Sequence, residues 1–338
     1  MGTCNVKQTA MVMLSAGADV TPCQRDVPEP GHLEALVRVR GTSLNYHDLV
    51  NLLGLIDGPW PRVPMTDGAG EVVAIGDGVT DLAVGDRVFS AFHPSWIDGR
   101  LTRAKLSITP GDTEDGWLQQ YRTFAADSLI RVPDHLSLSE AGTLTCAGTT
   151  AWTALAGVSS GDVVVTQGTG GVSLFAVQLA KARGATVILT SSSDDKLEVG
   201  RSLGADHLIN YRTHPDWEHV VRELTGGEGA DLVLDLGGEL TLPRSVSATR
   251  PDGRVAIIGV LSGFGSAALP VSDAMVRQIH LFGVSVGSVQ AHRDLARTIA
   301  ATGLKPHISH TFDWTELAEA RRVQNANEHL GKIAITIP

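Results

Sequence analysis

The sequence predicts an α/β protein in which a doubly wound parallel-sheet domain is inserted into a β domain built from both chain ends. Three observations carry this. Beyond Pro133, short apolar runs alternate with segments of helical spacing; before it, short strands are punctuated by Gly and Pro. The last residues, Gly331–Ile337 (GKIAITI), form a strand too far along the chain to belong obviously to the alternating series. The 338 residues suffice for two domains, and 43% apolar against 19% charged residues is ample for buried cores.

In order along the chain, Ala35–Arg40 (ALVRVR) and Gly70–Gly76 (GEVVAIG) alternate as strands do, and Val84–Ser90 carries a short apolar run. The polar segment His93–Gly116 exceeds an ordinary connection and is a candidate binding or lid element. Gly161–Thr166 (GDVVVT) then opens the strand–helix series. It continues through Val172–Arg183 (helix), Ala185–Thr190 (strand), Asp194–Leu203 (helix), His207–Asn210 (strand) and Pro215–Leu224 (helix), then the strands Asp231–Leu236 and Arg254–Gly259. This places the parallel-sheet domain at 134–284 and the β domain at 1–133 and 285–338.

Charge and cysteine usage narrow the function classes. Acidic residues outnumber basic ones 37 to 27, a net charge of −10, so nothing favours a nucleic-acid backbone or an anionic membrane surface. Cys4, Cys23 and Cys146 are too few and too scattered for a disulfide framework, which points to a reducing cytoplasm. No run approaches ~20 apolar residues. The N-terminus lacks a signal-peptide pattern, and Val6 stands where myristoylation after Met1-Gly2 would need Ser or Thr. The expectation is a cytoplasmic protein acting on a small molecule.

The strongest chemical signal is Gln167-Gly168-Thr169-Gly170-Gly171-Val172-Ser173, directly after a strand and opening a helix. Gly168, Gly170 and Ser173 fit the dinucleotide fingerprint: a tight turn, close backbone approach to a pyrophosphate, and close helix–strand packing. The helix start then presents free N–H groups and a positive dipole end to the phosphates. NAD sites place a carboxylate about 20 residues after the first glycine. Here Thr190-Ser191-Ser192-Ser193 occupies that strand end, and Asp194 and Asp195 read as the start of the next helix. Hydroxyls at Ser191 and Ser192 tolerate a 2′-phosphate, and Lys196, Arg201 and Tyr211 can supply charge and a hydrogen bond. NADPH is the expected cofactor.

With these motifs in place, the chain resembles the medium-chain dehydrogenase/reductase superfamily. The carriers are Gly70-Glu71-Val72-Val73 with Val84-Gly85-Asp86-Arg87-Val88, Thr190–Lys196, Leu203-Gly204-Ala205-Asp206 and Gly331-Lys332. The resemblance implies a GroES-like β domain plus a Rossmann domain, with the active site in a cleft. It places Asn45 and Tyr46 as catalytic candidates at the nicotinamide end. It adds Val260, Leu261 and Lys332 to Gly168, Thr169, Gly170, Gly171, Val172, Ser191, Ser192, Lys196 and Tyr211 as cofactor residues. Tyr46 is read either as a hydrogen-bond donor to a developing oxyanion or as packing against the cofactor.

The departures from the family pattern matter as much. Zinc alcohol dehydrogenases of this superfamily hold a catalytic zinc with Cys, His and Cys. Asn45 and Thr66 align with the first two, and only Cys146 keeps its place. One thiolate does not make a zinc site, so no metal is expected, and neither His47 nor His93 is read as a replacement ligand. The branch implied is the zinc-free one of quinone oxidoreductases and enoyl reductases, with hydride passing to a quinone or an α,β-unsaturated carbonyl compound. The alternatives are a zinc-free alcohol/aldehyde dehydrogenase and a crystallin-like NADPH-binding protein without activity. His280–Ser288 (HLFGVSVGS) reads as an apolar edge strand, and with it a homodimer is expected.

Overall fold

The computed structural model describes residues 6–338, so Cys4 and the Met1-Gly2 pair lie outside the described residues. The chain divides into two compact units: the first runs to Thr149 and resumes over Gly287–Pro338, and the second is Thr150–Val286. The first boundary therefore falls later than the composition change at Pro133. The reason is local bonding, since the helix Leu138–Ala141 and the π-helical turn Leu144–Gly148 serve the first unit. Thr145 Oγ1 donates to Ser90 O at 2.9 Å, and the Cys146 N–H donates to Asp67 Oδ1 at 2.8 Å.

In the first unit a seven-stranded sheet runs Ile308–Asp313, Lys332–Thr336, Glu34–Leu44, Ala69–Ile75, Arg87–Ser90 and Leu129–Arg131, with Tyr121–Ala125 paired to Glu34–Leu44. The C-terminal strand thus finds its place, antiparallel to Glu34–Leu44 with Ala334 opposite Ser43. This unit is built from both chain ends because its central strand needs that partner. Lys7–Met13 and Val20–Asp26 form a separate antiparallel pair. The core gathers Met13, Leu52, Met65 and Trp117, with Trp117 stacked on Phe124 at 4.3 Å between ring centroids.

The second unit holds a six-stranded parallel sheet in the spatial order His207–Asn210, Thr186–Ser191, Val163–Gln167, Ala230–Asp235, Thr249–Ile257, His280–Gly283. Its central strands are Val/Leu/Ile-rich and almost wholly buried, as parallel strands covered on both faces must be. Strand order reverses beside Val163–Gln167, whose neighbours are the second strand and the fourth. That reversal is the switch point where open α/β sheets bind ligands, outside the carboxyl ends of the strands.

Candidate functional site

In the second unit the fingerprint glycines sit at the switch point. Gly168 adopts φ +75°, a conformation a side chain strains to reach, and its N–H donates to Thr190 O at 2.7 Å. A Cβ built on Gly168 or Gly170 would meet no atom within 4 Å, so these glycines face open space rather than packing. Gly170 is the N-cap of the helix Gly171–Ala182, and no side chain caps that helix. Its first N–H groups are thus left to a ligand. Ser173 is buried, and its hydroxyl donates to Gln167 O at 2.6 Å, closing helix onto strand as the fingerprint requires. Thr169 is buried, while Gly171 and Val172 are half-buried at the helix start.

The neighbouring strand ends complete this rim. Ser191 ends its strand, is buried, and accepts the Tyr211 N–H at 3.0 Å, which sets Tyr211 beside it with an exposed ring. Ser192 and Lys196 are half-buried, and Ser193 Oγ caps the following helix by accepting from the Lys196 N–H. Arg201 is engaged by Glu198 on the helix surface. Val260 and Leu261 are exposed in the loop after Thr249–Ile257. Asp235, which the sequence reading did not single out, is fully buried beneath this rim. It accepts from the Gly238 N–H, Thr241 Oγ1, Ser245 Oγ and Gln167 Nε2, fixing the loop ends of two adjacent strands. A pyrophosphate dinucleotide fits these residues.

In the first unit two of the candidate residues, Asn45 and Lys332, join one buried polar chain. Lys332, expected at the cofactor, is only 2% exposed. Its ammonium donates to Leu44 O at 3.0 Å, to Asp67 Oδ2 at 3.1 Å and to Asn45 Oδ1. All three of its protons are used inside the unit, which leaves none for a phosphate. Asp67 also accepts from Ser43 Oγ and from the Cys146 N–H. Asn45 is buried as well; its Nδ2 donates to Asp48 Oδ2 at 3.1 Å, and Asp48 Oδ1 accepts from the Thr66 N–H at 2.9 Å. Burial, with the charge of Asp67 behind it, holds the Asp48 carboxyl above the usual carboxylate range.

Tyr46 and His47 open the helix Tyr46–Leu52, directly after Asn45, its N-cap. The Tyr46 side chain is 39% exposed, so its hydroxyl is not committed to the core. His47 Nε2 donates to Asp112 Oδ2 at 2.7 Å. Asp112 comes from the His93–Gly116 segment, whose far end is not a surface lid but a buried turn over Thr109–Asp112. Gly111 at φ +86° lies against the Met65 backbone there and delivers the carboxylate. His93 is buried near Phe92, its Nδ1 3.2 Å from Thr109 Oγ1. Local sequence held no sign of the pairings Lys332–Asp67 or His47–Asp112, because both span long stretches of chain.

The donors at Asn45, Thr66 and Cys146 do not fit a zinc ion. Asn45 Oδ1 already holds an ammonium, which would repel a second cation, and the Thr66 hydroxyl is bonded to Asp48. Burial and the nearby Asp67 push the Cys146 thiol well above its ordinary range, away from the thiolate that zinc binds.

Residues 31–134 match the alcohol dehydrogenase GroES-like domain and residues 171–301 the zinc-binding dehydrogenase family. A zinc-type alcohol dehydrogenase-like protein of Schizosaccharomyces pombe is 37% identical, over 96% of this chain and 97% of that protein. A 2-haloacrylate reductase of a Burkholderia species is 32% identical, over 91% of each. The solved structure of a candidate alcohol dehydrogenase from Sinorhizobium meliloti 1021 superposes with a TM-score of 0.92 at 39% identity, covering 98% of this chain and 99% of that one.

Proposed function

From a chain that belongs to the zinc-type alcohol dehydrogenase-like medium-chain dehydrogenase/reductase superfamily, we propose a zinc-independent, NADPH-dependent reductase of quinones or α,β-unsaturated carbonyl compounds. The observation that carries this reading is the Lys332–Asn45–Asp48–Thr66 chain. It fills with a buried ammonium and its acceptors the positions where zinc relatives place ligands. Without a Lewis acid, a simple aldehyde is a poor hydride acceptor. A quinone or a conjugated double bond is already electrophilic, and leaves a delocalised oxyanion that hydrogen-bond donors can hold.

The residues divide the work. Gly168, Thr169, Gly170, Gly171 and Val172 hold the pyrophosphate, Ser191, Ser192, Lys196 and Tyr211 the adenosine 2′-phosphate, and Val260 and Leu261 the ribose next to the nicotinamide. The bound nicotinamide supplies the hydride. Tyr46 offers its phenol to the developing oxyanion, and Asn45 fixes the turn on which Tyr46 stands. The 2-haloacrylate reductase among the relatives supports a reductase of activated alkenes. The free Cys23 and Cys146 suit a reducing cytoplasm.

A steady-state comparison tests the reading. An enone and a quinone are expected to turn over with NADPH, an unactivated aldehyde at least about a hundred-fold more slowly, and chelators to leave these rates unchanged. Faster turnover of the aldehyde, with loss on chelation and about one zinc per chain, would show an alcohol dehydrogenase instead. No turnover with any acceptor would leave only an NADPH-binding protein.

A further inference from the structure

We infer that His47, oriented by Asp112, is the catalytic acid that delivers a proton to the substrate carbon after hydride transfer. The inference rests on the reductase reading above and adds a residue to it.

The geometry is that of an oriented histidine. Nε2 is fixed by Asp112 at 2.7 Å, whereas Nδ1 has no hydrogen-bond partner among the described residues. The His47 side chain is 31% exposed and that of Asp112 only 8%. One ring nitrogen therefore faces inward to a buried carboxylate, and the other is left for a reacting group. Asp112 is itself held: Asn51 Nδ2 donates to its Oδ1 and to Gly111 O, and Arg62 bonds both the Asp112 backbone carbonyl and Asn51 Oδ1. The Phe92 ring meets the imidazole edge-on at 5.2 Å and limits its rotation. A positioned imidazole, an orienting carboxylate behind it and a shell that fixes the carboxylate is the arrangement acid–base catalysis needs.

The electrostatics agree. Burial alone would push His47 down, but the hydrogen bond and charge of Asp112, then the charges of Asp48 and Asp67, more than offset it and hold His47 above the ordinary histidine range. Lys332 partly neutralises Asp67, and Arg62 stands behind Asp112. Beyond Phe92, His93 is pushed down to about 4 by burial and the neighbouring His292, and His292 itself is at about 4 through burial. These two titrate far on the acid side of His47. The proton is therefore held by His47 in preference to its two neighbouring histidines.

The step balances. The β-carbon of an enone gains hydride, with two electrons, from the reduced nicotinamide, which becomes oxidised. The π pair moves toward the carbonyl oxygen, where Tyr46 donates a hydrogen bond. The His47 Nδ1–H bond then breaks, the proton joins the α-carbon, and the neutral imidazole regains a proton from solvent. A quinone needs protons only on oxygen, which water reaches, so it needs His47 less.

The experiment uses the full chain with NADPH, an α-methyl cyclic enone and a quinone, in D2O. The wild type is expected to deuterate the α-carbon on one face. Its kcat for the enone falls on the alkaline side of the His47 titration, because the neutral imidazole has no proton to give. His47→Gln is expected to lower enone kcat about a hundred-fold, to lose that limb and to give both faces, while quinone reduction changes only a few-fold. Asp112→Asn removes the anion, so the limb and the His47 Cε1–H resonance in the cofactor-free protein both move to lower pH. Tyr46→Phe lowers kcat but keeps the facial preference, since it removes a bond to oxygen rather than the carbon acid. Retained facial preference and an unchanged limb in His47→Gln overturn the inference alone. Absence of enone and quinone turnover in the wild type overturns the reductase reading and the inference with it.

Discussion

At the scale of single residues, the centre of the first unit is a problem in buried charge. Lys332 and Asp67 are 2% and 0% exposed in their side chains, a pair that water does not screen. Such a pair adds little net stability over apolar packing, but removing one partner strands the other charge. Lys332→Met should therefore cost about 3–5 kcal/mol of folding stability, seen as a large drop in melting temperature, while NADPH affinity measured below that transition stays nearly unchanged. A Lys332 that bound the cofactor would give the opposite pattern, weak binding with a normal melting point. The sequence motif Gly331-Lys332 was legible; its partner was not. Asp67 lies 265 residues away in the chain, and the two meet because Lys332–Thr336 and Ala69–Ile75, the strand that follows Asp67, both pair with Glu34–Leu44.

At the scale of elements, most of the second unit was legible because its signals are local. Apolar runs, a Gly turn and helical spacing repeat within a few tens of residues, so strand Val163–Gln167, helix Gly171–Ala182 and strand Thr186–Ser191 lie within a residue or two of expectation. The first unit was less legible. Its seven strands pair across long separations, and the segment 93–116 carried no periodicity to show that Thr109–Asp112 turns inward. The strand end at Ser191 makes the cofactor choice testable. Ser191 and Asn210 are register partners in the parallel sheet, and the Tyr211 N–H bonds Ser191 O, so a 2′-phosphate near Ser191 would also meet Tyr211. Ser191→Asp sets a carboxylate there, which repels the phosphate and accepts ribose hydroxyls. The ratio of kcat/KM for NADPH over NADH should fall at least about ten-fold, equivalent to about 1.4 kcal/mol. An unchanged ratio in a variant of normal melting temperature would place the phosphate elsewhere.

At the scale of the whole molecule, the remaining question is what covers the open end of the parallel sheet. Among the described residues, His280–Gly283 is the last strand of this sheet and pairs only with Thr249–Ile257, leaving one row of its backbone groups without a strand partner. The short helix Val271–Val276 precedes that strand. None of its residues is buried, and Val271, Met275 and Val276 are all at least two-thirds exposed. Large apolar side chains beside an unpaired edge are what monomers avoid and interfaces use. A second copy of the chain is the simplest cover, because edge strands related by a two-fold axis pair antiparallel and bury the same apolar residues from both sides. Light scattering at micromolar concentration should therefore give twice the chain mass of 35.6 kDa. Val276→Asp alters no buried contact within the chain, so the fold should persist while the charge opposes its own image across the axis. The expected result is a shift toward the monomer at unchanged circular dichroism. A wild type that is monomeric at that concentration would mean that the edge is covered by something other than its own copy.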